Sequence, residues 1–174
     1  MNTLAGAVDK VSNKLLPGAN MSKPGGTSVG RVKAGAPTPG GTGDLANIRS
    51  MIAGVESGGN YNIMQGGSTA ALTGMTLGQV LSLQSSVIQQ GGNSAAGKYQ
   101  ITRQTLMGLM AKLGLTGAEK FDEALQDRLA DELIKQRGYD AYKSGKLSKE
   151  DFLANLSKEW AGLPGSTSGS SYYA

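Results

Sequence analysis

The chain has 174 residues, a net charge of +4, and neither cysteine nor histidine. These absences exclude disulfides, thiolate nucleophiles, zinc sites built on sulfur and every mechanism with a histidine base, so carboxylate, lysine or tyrosine must carry any acid–base chemistry. The length suits one core plus a tail, and no run of about 18 apolar residues predicts a membrane span.

We predict that residues 1–43 form an N-terminal arm. Residues 17–43 are rich in glycine and proline and contain little that could fill a core, which predicts an extended linker. Charged residues interrupt the segment before it, which therefore lacks the pattern of a secretory signal. Four apolar residues recur there at helical spacing and predict a short amphipathic helix: Leu4, Val8, Val11 and Leu15.

The folded domain is predicted to span residues 44–165, followed by a loose tail at 166–174. Asp44 can cap a first helix that ends at Gly58. Glu56 then lies in the last turn of this helix. One face of the helix is apolar and is predicted to point inward: Leu45, Ile48, Ile52 and Val55.

Residues 58–75 lack a helical period and predict a loop with a small hairpin. Thr76 and Gln79 have the spacing of a capping box that begins a second helix, and Thr102 can cap a third. The residues of these two helices that are predicted to pack inward are Leu77, Val80, Leu81, Gln84 and Ile88, then Leu106, Met107, Leu109, Met110 and Leu113.

Two further helices complete the predicted domain. The run 121–138 is amphipathic, and its alternating charges predict a solvated face. Ser148 with Asp151 predicts the cap of a last helix. Their inward faces are predicted as Phe121, Leu125, Leu129 and Leu133, and as Phe152, Leu156 and Trp160.

The distribution of charge singles out one carboxylate. Residues 1–112 hold nine Lys and Arg but only three acidic residues, and no Asp or Glu lies between Glu56 and Glu119. A carboxyl group at the end of an apolar helix, beside a glycine-rich loop, can lose solvent and gain the raised pKa of a general acid. The alternative is a surface residue that pairs with Lys98 or Arg103.

Three segments resemble a known family. RSMIAGVESGGNYN, which contains Glu56 and Ser57, resembles the catalytic helix of lysozyme-superfamily enzymes that cleave glycans. SAAGKYQITRQTL is similar to the Gly-x-Tyr-Gln segment of lambda-type phage endolysins, and NLSKEWAGLPG resembles their Trp-Ala-x-Leu-Pro-Gly end. The resemblance implies an α+β, mostly α fold with a small β element, and a cleft between the two parts that holds a glycan strand.

By the same resemblance, the activity is that of a peptidoglycan lytic transglycosylase with Glu56 as the single catalytic residue. Such a glutamate protonates the glycosidic oxygen and then takes a proton from the C6 hydroxyl of N-acetylmuramic acid, which closes a 1,6-anhydro ring. Glycosidases with two carboxylates need a second Asp or Glu, and the loop after Glu56 contains none.

The resemblance also implies the substrate-binding residues. Tyr99 and Gln100 should line the cleft, Ser57 should orient Glu56, and Tyr61 is a further candidate for substrate contact. Trp160 is expected in the core behind the cleft. We expect no metal ion and no cofactor.

Alternative functions stay open at this point. One is a hydrolytic muramidase whose water is held by Thr69, Thr73 or Thr76. A second is a free endolysin, for which the arm would be dispensable. Another is a virion or tail structural protein whose lysozyme-like domain only binds glycan.

The charge and the arm predict partners and location. The basic first half suits a polyanion such as the cell wall, but no basic stripe interleaved with aromatic residues follows it, so nucleic-acid binding is not expected. We expect residues 1–43 to dock on a virion or tail protein, so that the enzyme acts at the bacterial wall or periplasm while associated with the particle.

Overall fold

The computed structural model describes residues 43–164, which contain six α-helices and one short 3₁₀-helix. All but the last residue of the predicted arm, and all of the predicted tail, lie outside the described residues. The α-helices are α1 (Gly43–Glu56), α2 (Leu77–Gln89), α3 (Arg103–Leu113), α4 (Glu123–Gln136), α5 (Tyr139–Lys143) and α6 (Lys149–Ser157), and Leu72–Gly74 is the 3₁₀-helix.

Local capping determines where most helices begin. Thr76 and Gln79 form the predicted capping box, with Gln79 N–H donating to Thr76 Oγ1 and Thr76 N–H donating to Gln79 Oε1. Thr102 and Ser148 cap α3 and α6 as predicted. Asp122 caps α4, which therefore begins later than the amphipathic run suggested.

The cap predicted at Asp44 is wrong. Helix α1 begins at Gly43, so Asp44 lies inside its first turn, where its buried carboxylate accepts a hydrogen bond from Lys143 Nζ of α5. The α5 helix was not predicted. It brings Tyr142 face to face with Phe152 of α6, with ring centroids 4.7 Å apart.

The core lies where α1 packs on α4, with α2 against α3 and α5 against α4 and α6. Most inward residues are where the helical spacing predicts them. Among the largest fully buried side chains are Ile48, Ile52, Leu77, Leu106, Phe121, Leu129, Phe152 and Leu156.

Three apolar side chains are wrongly predicted as inward. Val55, Ile88 and Met107 are 51%, 48% and 47% exposed. Val55 lies in the last turn of α1, and Ile88 and Met107 line a cavity between α2 and α3. In each case the apolar stripe of the helix extends beyond the part that other elements cover.

The mostly α architecture is confirmed, and the β element is very small. Among residues 43–164, β pairing is limited to isolated antiparallel bridges, including Ile63 with Thr69, Met64 with Ala96, and Ala96 with Ile101. The bridge between Met64 and Ala96 joins the loop after α1 to the segment before α3, and the other two close turns within each segment. None of the helices between residues 43 and 164 has both the length and the apolar character needed to cross a membrane.

Candidate active site

A cavity of about 570 Å³ opens where the end of α1 faces the loop after it, the segment before α3 and the turn after α6. Its lining residues come from four separate parts of the chain: Glu56; Ile63, Met64, Gln65, Gly66 and Gly67; Asn93, Ala95, Gln100 and Thr102; and Glu159 and Ala161. The small β bridges hold the second and third of these groups together. The cavity is therefore a cleft between the helical part and the bridged loops.

Glu56 is the last residue of α1, and its carboxyl group faces the cleft. Burial raises its pKa, and a weaker opposing effect comes from the backbone N–H of Gly162, which donates to Oε1 at 3.3 Å. Neither Lys98 nor Arg103 pairs with it among the described residues, so the surface ion pair considered as an alternative is not formed. A carboxyl group in this state can hold a proton and donate it.

Gly162 is packed tightly against this carboxyl group. A β-carbon on Gly162 would lie 2.5 Å from Val55 Cγ1 and 3.1 Å from Glu56 Oε1. Because these distances are shorter than ordinary contacts, the turn after α6 can approach Glu56 this closely only with glycine.

Gln100 is one of the residues that line the cleft, together with Glu56. Within residues 43–164 it is the only non-glycine residue with a positive φ, 47°. Its Nε2 donates to the carbonyl of Gly97 at 2.9 Å, and the bridge between Ala96 and Ile101 closes the turn around it. Strained backbone of this kind persists only where surrounding contacts enforce it, and it is common at binding sites.

Ser57 lies behind the cleft and joins two of its walls. Its Oγ donates to the carbonyl of Lys98 at 2.7 Å, which ties the end of α1 to the segment that carries Gln100. No hydrogen bond joins Ser57 to the carboxyl group of Glu56. Any orienting effect on Glu56 would therefore act through the backbone.

Tyr61 and Tyr99 are brought together, but neither is among the residues that line the cleft. Their hydroxyl groups donate to Asp127 of α4 at 2.9 and 2.6 Å. Tyr99 is only 1% exposed, and burial and the contact with Asp127 both raise the pKa of its hydroxyl. The structure places both tyrosines in a supporting position, where Tyr99 has no free surface for a sugar.

Asp127 also attracts two cations. Lys98 Nζ lies 3.7 Å from Asp127 Oδ1 and donates to the hydroxyl of Tyr61 at 2.8 Å, and Arg49 Nε lies 3.8 Å from Asp127 Oδ2. We call these five residues, Arg49, Tyr61, Lys98, Tyr99 and Asp127, the Asp127 cluster. The side chain of Asp127 is 29% exposed, so this part of the charged face of α4 is shared between solvent and the contacts to α1 and the segment before α3.

Trp160 packs in the core, as predicted, and is buried behind the cleft. Its Nε1 donates to the carbonyl of Tyr99 at 2.9 Å. This bond connects the turn after α6 to the residue next to Gln100.

Sequence reasoning missed Glu159, which is among the residues that line this cleft and also lines a separate cavity beside α3 and α4. Its Oε2 accepts hydrogen bonds from Nε of Arg137, at 3.2 Å, and from Nη2 of the same guanidinium. No local pattern indicated this position, since Glu159 is far from Glu56 along the chain. The amides of Gln65 and Asn93, which also line the cleft, were missed for the same reason.

The three threonines considered as holders of a water molecule do not line the cleft. Thr73 donates to Asn62 Oδ1, and Thr76 caps α2. In the part of the chain that the structure describes, no three acidic side chains come close enough to hold a metal ion.

A family model described as Endolysin matches residues 50–174. The match includes Glu56, the segment around Gln100 and the turn after α6, and so covers every wall of the cleft. No curated protein and no solved structure matches the chain.

Proposed function

The chain belongs to the endolysin family of phage enzymes that degrade the bacterial cell wall, and we propose that it is a lytic transglycosylase with Glu56 as its single catalytic acid and base. The bond cleaved is the one between N-acetylmuramic acid and N-acetylglucosamine in peptidoglycan. The observation that carries the proposal is the partly buried Glu56 in the cleft, whose raised pKa has no countering ion pair among the described residues.

The first step uses the protonated carboxyl group of Glu56. Its proton passes to the glycosidic oxygen while the bond from that oxygen to C1 of N-acetylmuramic acid breaks, and the bonding electrons leave with the oxygen. Positive charge then develops on the sugar ring opposite a newly formed carboxylate.

The second step returns the proton. The Glu56 carboxylate takes the proton of the C6 hydroxyl as that oxygen bonds to C1, which closes the 1,6-anhydro ring. No water molecule is consumed, and Glu56 is protonated again for the next cycle. One carboxyl group therefore performs both steps.

The amides of the cleft fit the N-acetyl groups of the substrate. Gln65, Asn93 and Gln100 line the cavity and can donate to, and accept from, an acetamido group. The strained turn at Gln100 would hold its amide in place before the substrate binds. Ser57, Tyr61 and Tyr99 support this segment from behind and need not touch the sugar.

A hydrolytic muramidase is the second candidate, and Glu159 is the observation that favours it. A second carboxylate in the same cleft is what a hydrolase needs to activate water or attack the sugar. The ion pair between Glu159 and Arg137 instead favours the lytic transglycosylase. The Arg137 guanidinium already engages Glu159 Oε2, so this carboxylate is occupied.

Three variants separate these candidates on purified peptidoglycan. A transglycosylase should lose about 10²- to 10⁴-fold in turnover in Glu56→Gln, and far less in Glu159→Gln. Equal losses in both variants would favour the hydrolase. Glu150→Gln removes an exposed carboxylate at the start of α6 and is the matched control.

We also propose that residues 1–43 dock on a virion or tail protein. The support is the sequence pattern of the arm, amphipathic at its start and too poor in apolar residues beyond it to form a core. A protein that lacks residues 1–42 keeps all of α1 and should cleave peptidoglycan normally, but be missing from assembled particles. Normal packaging of this truncated protein would contradict the docking role. If the full chain binds glycan without cleaving it, a purely structural protein is favoured instead.

A further inference from the structure

A second cavity of about 460 Å³ adjoins the catalytic cleft. It lies between the end of α2 and the start of α3, and Thr102 lines both cavities. Ser94 of the second cavity lies between Asn93 and Ala95, which line the first. A substrate held at Glu56 could therefore extend directly into this second space.

Arg103 is the charged residue of this cavity, and its guanidinium is poorly satisfied. The Nε atom is buried without a hydrogen-bond partner, and Nη1 donates to the thioether sulfur of Met107, a weak acceptor. None of the ion pairs among residues 43–164 includes Arg103. Because Nη1 has only this weak acceptor and no acidic residue lines the cavity, the end of the guanidinium favours an anionic ligand.

The second cavity also has an accessible apolar part, beside the polar residues Ser94, Thr102 and Gln104. Ile88 and Met107, two of the three side chains wrongly predicted as inward, lie on its walls and are each nearly half exposed. No acidic residue lines the cavity. The cavity therefore suits a ligand that combines a carboxylate with small aliphatic groups.

We propose that this cavity binds the stem peptide of the substrate. The inference rests on the proposed function, because in peptidoglycan the lactyl group of N-acetylmuramic acid carries a short peptide with alanine methyl groups and free carboxylates. A stem carboxylate pairs with the planar fork of Arg103, and the methyl groups pack against Ile88 and Met107. The subsite makes the enzyme prefer glycan strands that still carry their peptides.

The experiment compares strands that carry stem peptides with the same strands after an amidase has removed them. The ratio of kcat/KM for the two substrates is the measured quantity. We expect the full-length wild-type protein to favour stem-bearing strands by about tenfold, the effect of one charge-assisted hydrogen bond, and Arg103→Gln to bring the ratio close to one. Arg103→Lys keeps the positive charge but loses the planar guanidinium that can donate two hydrogen bonds to one carboxylate, and should give an intermediate ratio.

Arg128→Gln is the matched control, because Arg128 is exposed on α4 and lines neither cavity. Its ratio should equal that of the wild type. If Arg103→Gln lowers the activity on both substrates equally, or if the wild type shows no preference, the peptide subsite is wrong.

A separate titration covers the case in which the wild type cleaves neither substrate and the proposed function fails. A free acidic stem tetrapeptide is then added to the full-length protein while the methyl resonance of Met107 is followed. A shift that is lost in Arg103→Gln supports the subsite, and no shift in the wild type overturns it.

Discussion

Replacing Gly162 by alanine tests whether the turn after α6 positions the carboxyl group of Glu56, the proposed catalytic residue. The new β-carbon would lie 2.5 Å from Val55 Cγ1, whereas carbon atoms in contact are about 3.5–4.0 Å apart, so something must move by about 1 Å. Valine has one strongly preferred rotamer in a helix, which makes rotation of Val55 costly. The turn and the end of α1 must therefore separate.

The size of the effect follows from this displacement. A shift of about 1 Å at a catalytic group can cost about 10²-fold in rate, and overpacking costs about 1–3 kcal/mol in stability. We expect Gly162→Ala to lose roughly this much turnover while it stays folded at room temperature. The turn also loses its hydrogen bond to Glu56, which opposes the raised pKa, so the pKa of Glu56 should rise further.

Turnover on purified peptidoglycan and urea unfolding measure the two effects. Gly108→Ala is the control, because it places a methyl group in open space on α3 and should increase stability by roughly 0.5–1 kcal/mol, as for any exposed helical glycine. Wild-type activity and stability in Gly162→Ala would refute the close packing of Gly162 on Glu56.

Three further predictions concern the charges of the site. The kcat/KM of the wild type should fall as pH rises through the raised pKa of Glu56, since the protonated carboxyl group is the form that donates the proton. A fall centred at the pKa of an ordinary carboxyl group would contradict this prediction. Because the folded protein favours protonated Glu56, the contribution of this residue to stability is most favourable below its ordinary pKa and is lost as pH rises through the raised pKa; Glu56→Gln should therefore melt higher than the wild type at pH 7 but not at about pH 3. Asp127→Asn should lower the free energy of unfolding by about 1–3 kcal/mol, because two tyrosine hydroxyls lose their charged acceptor and Lys98 loses its carboxylate, whereas Arg49 keeps its bond to Asp131. An unchanged urea midpoint would contradict that role.

The features that the sequence predicted well depend on neighbouring residues. The caps at Thr76, Thr102 and Ser148 need only a residue three positions further along the chain, and all three form. The position of Glu56 at the end of α1 depends on a helix and a glycine pair next to it. These local signals were sufficient to predict the three caps and the position of Glu56 without any knowledge of the tertiary structure.

The features that it missed depend on how distant segments pack. Glu159 enters the cleft because the turn after α6 folds back onto α1, and nothing near Glu159 in the chain indicates this. Tyr99 matched the family segment, yet its ring is buried against α4 and Asp127 satisfies its hydroxyl. Ile88 and Met107 continue apolar stripes whose ends remain uncovered because a cavity lies there.

The most direct test of the single-carboxylate mechanism is the mass of the glycan ends after purified peptidoglycan is cleaved in water labelled with heavy oxygen. A transglycosylase releases 1,6-anhydro-muramic acid ends, which are lighter than reducing ends by one water molecule and carry no label. Reducing ends that contain the heavy oxygen as the main product would show that water attacks the sugar. Glu56 would then remain the candidate acid, and the proposal that it alone closes the anhydro ring would be contradicted.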